Sequence, residues 1–131
     1  MLFRSNGDLK FTGISFENLK GIAVEEVLSG EPLTIKIQFE NKAKLNLAKL
    51  LVSVAFFDEY QNMVLAFVSD EMGVNFSYLS DRNSISLNIP ELFLRGSRYS
   101  IRLFASYNGS RPEDITDNIE NAGFITVLPT D

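Results

Sequence analysis

Residues 92–127 read LFLRGSRYSIRLFASYNGSRPEDITDNIENAGFITV, and this stretch decides the fold. Leu94 and Gly96 stand just ahead of Tyr99, which opens an alternating run. That arrangement matches the tyrosine corner of Greek-key sandwiches, in which the ring packs in the core and the hydroxyl bonds backbone a few residues upstream. From Tyr99 on, Tyr99, Ile101, Leu103, Ala105 and Tyr107 fall on one side, and Ser100, Arg102, Phe104 and Ser106 on the other. Period two predicts a half-buried strand, the central one of its sheet. A polar loop follows, then a last short run over 122–127.

The rest of the chain supplies partners for that strand. Residues 9–17 (LKFTGISFE) alternate imperfectly and predict an edge strand, 18–21 a turn and 23–27 a short strand. Residues 33–40 alternate cleanly, with Leu33, Ile35, Ile37 and Phe39 inward and Thr34, Lys36, Gln38 and Glu40 outward. After a basic loop at 41–48, residues 49–57 are apolar on both faces. Such a strand is either central and covered twice or carries a binding surface. Residues 58–62 fit a hairpin loop and 63–68 its return strand. Residues 69–83 lack a steady period, with a short strand expected at 75–78, and 84–89 alternate until Pro90 stops them. Together these predict an all-β, immunoglobulin-like antiparallel β-sandwich of seven to nine strands. The sandwich should occupy 9–131, with 1–8 as a linker or the edge of an excised piece.

Composition removes most chemistry. The 131 residues are 45% hydrophobic with 11 Phe and 4 Tyr, enough for one core. Without Cys there is no disulfide, thiol nucleophile or thiolate metal site. Without His, the commonest general base and neutral metal ligand are gone as well. Twelve bases among 17 acids give a net charge of −5, against the clustered cations that nucleic acid demands. No apolar stretch is long enough to span a membrane and no leader pattern precedes the strands. There is no phosphate-binding loop. The acidic cluster Glu113, Asp114, Asp117 and Glu120 could serve as a glycosidase pair or as calcium ligands. The plainer reading is a solvated loop, with Asp117 capping a helical turn that drops Ile119 onto the core. Asn75-Phe76-Ser77 and Asn108-Gly109-Ser110 fit the glycosylation pattern, which chance alone produces. The expectation is no catalytic residue, no metal and no cofactor.

The outward face of the central sheet carries more information. If the Tyr99 strand pairs with 49–57 and with the terminal strand, its wet face holds Leu51, Ser53 and Phe57, then Arg102 and Phe104, then Phe124, Thr126 and Leu128. Aromatic rings stack on the C–H faces of sugars while Arg and Ser bond hydroxyls. A second copy of the chain could equally cover an apolar face. Ser53, Phe57, Arg102 and Phe104 are the candidate carbohydrate contacts, and Phe124, Thr126 and Leu128 the candidate dimer contacts.

The C-terminal third also resembles a known family. The strand at 84–89 with Pro90, then Leu92, Leu94, Gly96 and Tyr99, then Asp117-Asn118-Ile119-Glu120-Asn121-Ala122 before the last strand, is similar to the C-terminal domain of Wzt-type proteins. These are the ATPase subunits of transporters that export O-antigen polysaccharide. The likeness runs over about residues 9–128. In one departure, Asn62 stands where the hairpin loop usually has Gly, and Asn can adopt positive φ. The resemblance implies a non-catalytic carbohydrate-binding domain at the cytoplasmic face of the bacterial inner membrane. It would read lipid-linked O-antigen polysaccharide, often at the non-reducing end. Implied partners are its own nucleotide-binding domain, the transporter's membrane subunit and a second copy in a homodimer. Gly96, Tyr99, Asp117, Asn121 and Ala122 match the motif as structural residues. Two other readings stand beside it: a protein-interaction or dimerisation module without glycan binding, and a glycan-processing enzyme.

Overall fold

The computed structural model describes residues 6–69, 72, 76, 83–109 and 111–130. In chain order they form β1 (Lys10–Glu17), β2 (Glu26–Leu28), β3 (Leu33–Glu40), β4 (Leu50–Phe57), β5 (Met63–Val68), β6 (Ser84–Ile89), β7 (Ser97–Tyr107) and β8 (Ile115–Leu128). Two sheets result, one ordered β1-β3-β6 and one β2-β8-β7-β4-β5. Every pairing is antiparallel except β2 with β8. This is the immunoglobulin-type order, with β8-β7-β4 as its G-F-C strands. β7 is central in its sheet and β1 lies at an edge, as predicted.

Strand alternation builds the core. Leu33, Ile35, Ile37 and Phe39 of β3 are at most 2% exposed, and Val52, Val54 and Phe56 of β4 join Ile101 and Leu103 of β7 in the same cluster. Each such side chain contributes roughly 1.5–3 kcal/mol on burial. Tyr99 is buried, and its hydroxyl donates to the Arg95 carbonyl oxygen at 2.6 Å. The tyrosine corner therefore forms as the sequence predicts. Burial raises the Tyr99 pKa; Arg95 opposes that rise, while Asp58 and Glu59 add to it. A Cβ on Gly96 would stand 2.8 Å from Pro129 Cδ, so the corner needs glycine where the C-terminal segment crosses it.

Several elements differ from expectation. The run predicted over 23–27 is divided between the sheets: Ala23 bridges Glu17, whereas Glu26–Leu28 lies parallel to β8. The chain changes sheet there, and no local pattern encodes the change. β8 begins at Ile115 rather than at 122, so Asp117 caps no helical turn. One Asp117 carboxylate oxygen accepts the Phe11 N–H at 2.8 Å and the other accepts the Asn118 N–H. Ile119 does pack on the core, from a strand. In the β4–β5 hairpin Gln61, not Asn62, takes positive φ (66°). Asp58 imposes this by accepting the N–H groups of both Tyr60 and Asn62 at 2.9 Å. The strand expected at 75–78 and the first glycosylation pattern fall largely outside the described residues, as does Ser110 of the second; Phe76 is buried.

Candidate functional site

The outer face of the five-stranded sheet follows from the register. Ser53 pairs with Phe104, Ala55 with Arg102 and Phe57 with Ser100 on the β4 side. On the β8 side Ser100 pairs with Phe124 and Arg98 with Thr126. Since same-face residues alternate, Ser53, Phe57, Arg102, Phe104, Phe124 and Thr126 share this face. Two guanidinium groups lie across its rings. Arg98 Cζ sits 4.2 Å from the Phe124 centroid, and Arg102 Cζ sits 5.2 Å from that of Phe57. Each contact is worth about 0.5–1 kcal/mol where solvent reaches it.

A bulge in β8 borders a cavity on this face. Ile101 pairs with Gly123 but Leu103 pairs with Ile119, so residues 120–122 of β8 oppose Arg102 alone. Asn121 takes φ 54°, which an asparagine tolerates better than most residues. Here a cavity of about 240 Å³ is lined by Phe57, Gln61, Ser100, Arg102, Glu120 and Asn121. Among the described residues, Arg102 Nε is buried there without a hydrogen-bond partner. A buried donor left unsatisfied costs on the order of 1–3 kcal/mol, which an incoming acceptor can offset. Gln61, Ser100 and Asn121 add donors and acceptors, and Phe57 adds an apolar wall.

Phe57 and Arg102 thus meet at one cavity. Ser53 and Phe104 are neighbours of each other on the same face, outside the cavity wall. Four residues along β7 separate the Phe57 rung from the Phe104 rung, roughly 13 Å at strand rise. The sequence reading missed Gln61, Ser100, Glu120 and Asn121 as cavity residues. The signal for Asn121 was its place in Asp-x-Ile-x-Asn-Ala, where the positive-φ bulge leaves Glu120 and Asn121 on the cavity wall with Arg102 while Ala122 packs on the core. Phe124 and Leu128 are exposed at 42% and 37%. β8 is not an edge over its last turn of pairing, because Glu26 and Leu28 pair with Thr126 and Leu128.

The acidic cluster is dispersed among other tasks. Glu113 and Asp114 both pair with Arg111 at 3.4 Å, Asp117 serves β1, and Glu120 borders the cavity. No group of three or more potential metal-binding acids occurs among the described residues. No helix among them is long and apolar enough to cross a membrane.

No curated protein sequence matches the chain. Solved structures do. A crystal structure of the C-terminal domain of Wzt aligns with a TM-score of 0.77 at 10% identity, covering 98% of this chain and 78% of that one. The β-glucuronidase of Parabacteroides merdae aligns with a TM-score of 0.53 at 15% identity, covering 92% of this chain and 14% of the enzyme. At these identities both likenesses concern the fold. The family model described as the Wzt C-terminal domain matches residues 4–131. With nearly the whole chain inside that match, and with the tyrosine corner and β8 bulge formed by the motif residues, the chain belongs to the Wzt C-terminal domain family.

Proposed function

We infer that this domain is a non-catalytic carbohydrate-binding module that reads lipid-linked O-antigen polysaccharide for export by an ABC transporter. The observation that carries the reading is Arg102: its guanidinium lies over Phe57 at the wall of an open cavity, with Nε buried and unpartnered among the described residues. A sugar ring placed on Phe57 brings its hydroxyl or acetal oxygens within reach of Arg102, Gln61 and Asn121. Phe104 and Ser53 offer a second platform farther along the face. Contacts of this kind are weak per sugar and cumulative along a chain. The domain would work at the cytoplasmic face of the inner membrane, beside its nucleotide-binding domain and the transporter's membrane subunit, with the chain end as its ligand.

The test is an amide NMR titration with the O-polysaccharide of the source strain and an unrelated O-polysaccharide as control. Shifts at Phe57, Ser100, Arg102 and Asn121, seen only with the cognate glycan, are expected. Absence of shifts at millimolar sugar would overturn the reading. A second reading, an assembly module joining two copies, is favoured by the exposure of Phe124 and Leu128 and by the uncharged edge strand β5. Sedimentation of a Phe124→Ser variant separates the two: lost dimerisation with retained sugar binding assigns β8 to assembly.

A further inference from the structure

The exposed apolar residues are not scattered. Of ten large apolar side chains exposed among the described residues, only Met72 lies away from one end of the sandwich or the strand positions adjoining it. That end gathers the turns after β1, β2, β4 and β6, together with the segment after β8. The pairings Glu17 with Thr34, Leu33 with Ile89, Phe57 with Met63 and Ser97 with Val127 all close there. Leu19 and Tyr60 are each 83% exposed and Phe93 is 72% exposed, and Ile22, Leu28 and Leu128 are exposed at this end as well. Tyr60 and Phe93 wall a groove of about 490 Å³ that also includes Asp58, Glu59 and Arg95.

The same end is acidic. Its turns together with β2, residues 18–31, 58–62 and 90–96, hold six carboxylates (Glu25, Glu26, Glu31, Asp58, Glu59, Glu91) against two cations (Lys20, Arg95), a net charge of −4. The described loops at the opposite end tell otherwise. Residues 41–49 hold Lys42, Lys44 and Lys49, and Arg111 adjoins Glu113 and Asp114. Asn6 and Gly7 also lie there, donating to the Ile115 and Thr116 carbonyl oxygens.

Exposed rings set among carboxylates fit one kind of partner. An anionic lipid surface is repelled by the acids, and an isologous contact would bring the same acids face to face. A lysine- or arginine-rich protein segment with apolar side chains meets both features: its cations face the carboxylates and the two rings, and its apolar groups cover Leu19, Ile22 and Phe93. We propose that this end of the sandwich docks such a basic, apolar-bearing segment of a partner protein. Cytoplasmic loops of membrane proteins carry an excess of Lys and Arg, so a transporter subunit is one source of such a segment; that source, unlike the surface itself, rests on the reading above.

The probe is a synthetic peptide of alternating Lys and Leu, with a Glu-Leu peptide as control, titrated into the full chain and followed by amide NMR. The expected result is shifts at Leu19, Tyr60 and Phe93 with the cationic peptide alone. Affinity should fall at least tenfold between 50 and 300 mM salt, as screened charges require (roughly, by the Debye length). It should fall again about tenfold in Tyr60→Ser/Phe93→Ser, whose replaced rings project into solvent. Equal response to both peptides, shifts centred on Arg102, or no shift at millimolar peptide would overturn the proposal. Glycan titration of the same double variant keeps the two claims apart. Retained glycan binding is expected; its loss would assign this end to the glycan and sink the docking proposal while leaving carbohydrate recognition standing.

Discussion

The two sheets share one core and differ in what they turn outward. On the three-stranded sheet, β3 shows Thr34, Lys36, Gln38 and Glu40 to solvent while β6 shows Ser84, Ser86 and Asn88. Across this face Thr34 Oγ1 donates to Asn88 Oδ1 at 2.9 Å, and the other side chains are polar groups that water can satisfy. On the five-stranded sheet the equivalent positions hold Phe57, Arg102, Phe104 and Phe124, and Arg102 Nε has no partner among the described residues. A sheet that only needs to stay folded and soluble adopts the first pattern. The second leaves apolar area and a donor unsatisfied, which is the condition of a surface waiting for a ligand.

The largest expected effect tests whether face, rather than position along a strand, decides a residue's role. Leu103 and Phe104 are neighbours on β7 but point to opposite sides. Leu103→Ala removes a side chain that is 1% exposed and should cost about 2–5 kcal/mol, lowering the thermal midpoint on the order of 10 °C. Phe104→Thr, by contrast, should cost about 1 kcal/mol or less, since threonine suits a half-exposed strand position. Calorimetry of both variants checks the contrast. Equal losses would mean that the outer face is structural.

Arg102→Ala carries the comparison from stability to function. It removes both the unpartnered donor and the cation over Phe57. Glycan affinity should drop at least tenfold, about 1.4 kcal/mol, while the unfolding midpoint moves little. A variant that binds as well as the parent would detach the cavity from recognition.

Much of this division was legible in the sequence, for local reasons. β3 and β6 match their predicted bounds because strict alternation and Pro90 mark them, and β5 matches as the return strand of the hairpin that the polar loop at 58–62 marks. The outward set on β4 and β7 follows from period two alone, and Tyr99 announced its corner through Gly96. What failed was non-local. The start of β8 was hidden because residues 120–122 spend three positions against one residue of β7, breaking the period a strand is recognised by. Asp117 looked like a cap because its acceptor role toward Phe11 spans 106 residues of sequence. The cavity residues Gln61 and Asn121 sit at positive φ, in a turn and a bulge, where outward and inward have no meaning until the partner strand is placed.

Tyr99→Phe gives a smaller effect with a pH signature. Losing the hydroxyl's bond to Arg95 should cost about 1 kcal/mol at neutral pH. The folded state raises the Tyr99 pKa through burial, so it holds the phenolic proton more tightly than the unfolded chain does. That contribution is therefore fully present below the unfolded value near 10 and is lost as pH rises from there through the folded pKa. Denaturant titrations at neutral and alkaline pH should show the parent losing stability more steeply above about pH 10 than the phenylalanine variant. Parallel curves would mean the hydroxyl gains nothing from its buried position.

The smallest effect belongs to the other sheet. Lys36 approaches Glu17 at 4.0 Å, with side-chain exposures of 40% and 26%, on the polar face of β3. Such a pair contributes between 0 and about 1 kcal/mol because water and salt screen it. Replacing Lys36 by threonine keeps a residue suited to a solvent-facing strand, so stability should change by less than about 0.5 kcal/mol. Lys36 and Arg102 are both cations pointing away from the shared core, and they differ in the surroundings of the charge. Lys36 meets a carboxylate and solvent, whereas Arg102 meets a ring and a cavity, with its Nε unpaired among the described residues. Affinity titrations of Lys36→Thr and Arg102→Ala against the same polysaccharide should therefore diverge, with the lysine variant binding as the parent does. Equal weakening would mean that the glycan responds to net charge alone, and the distinction between the two outer faces would collapse.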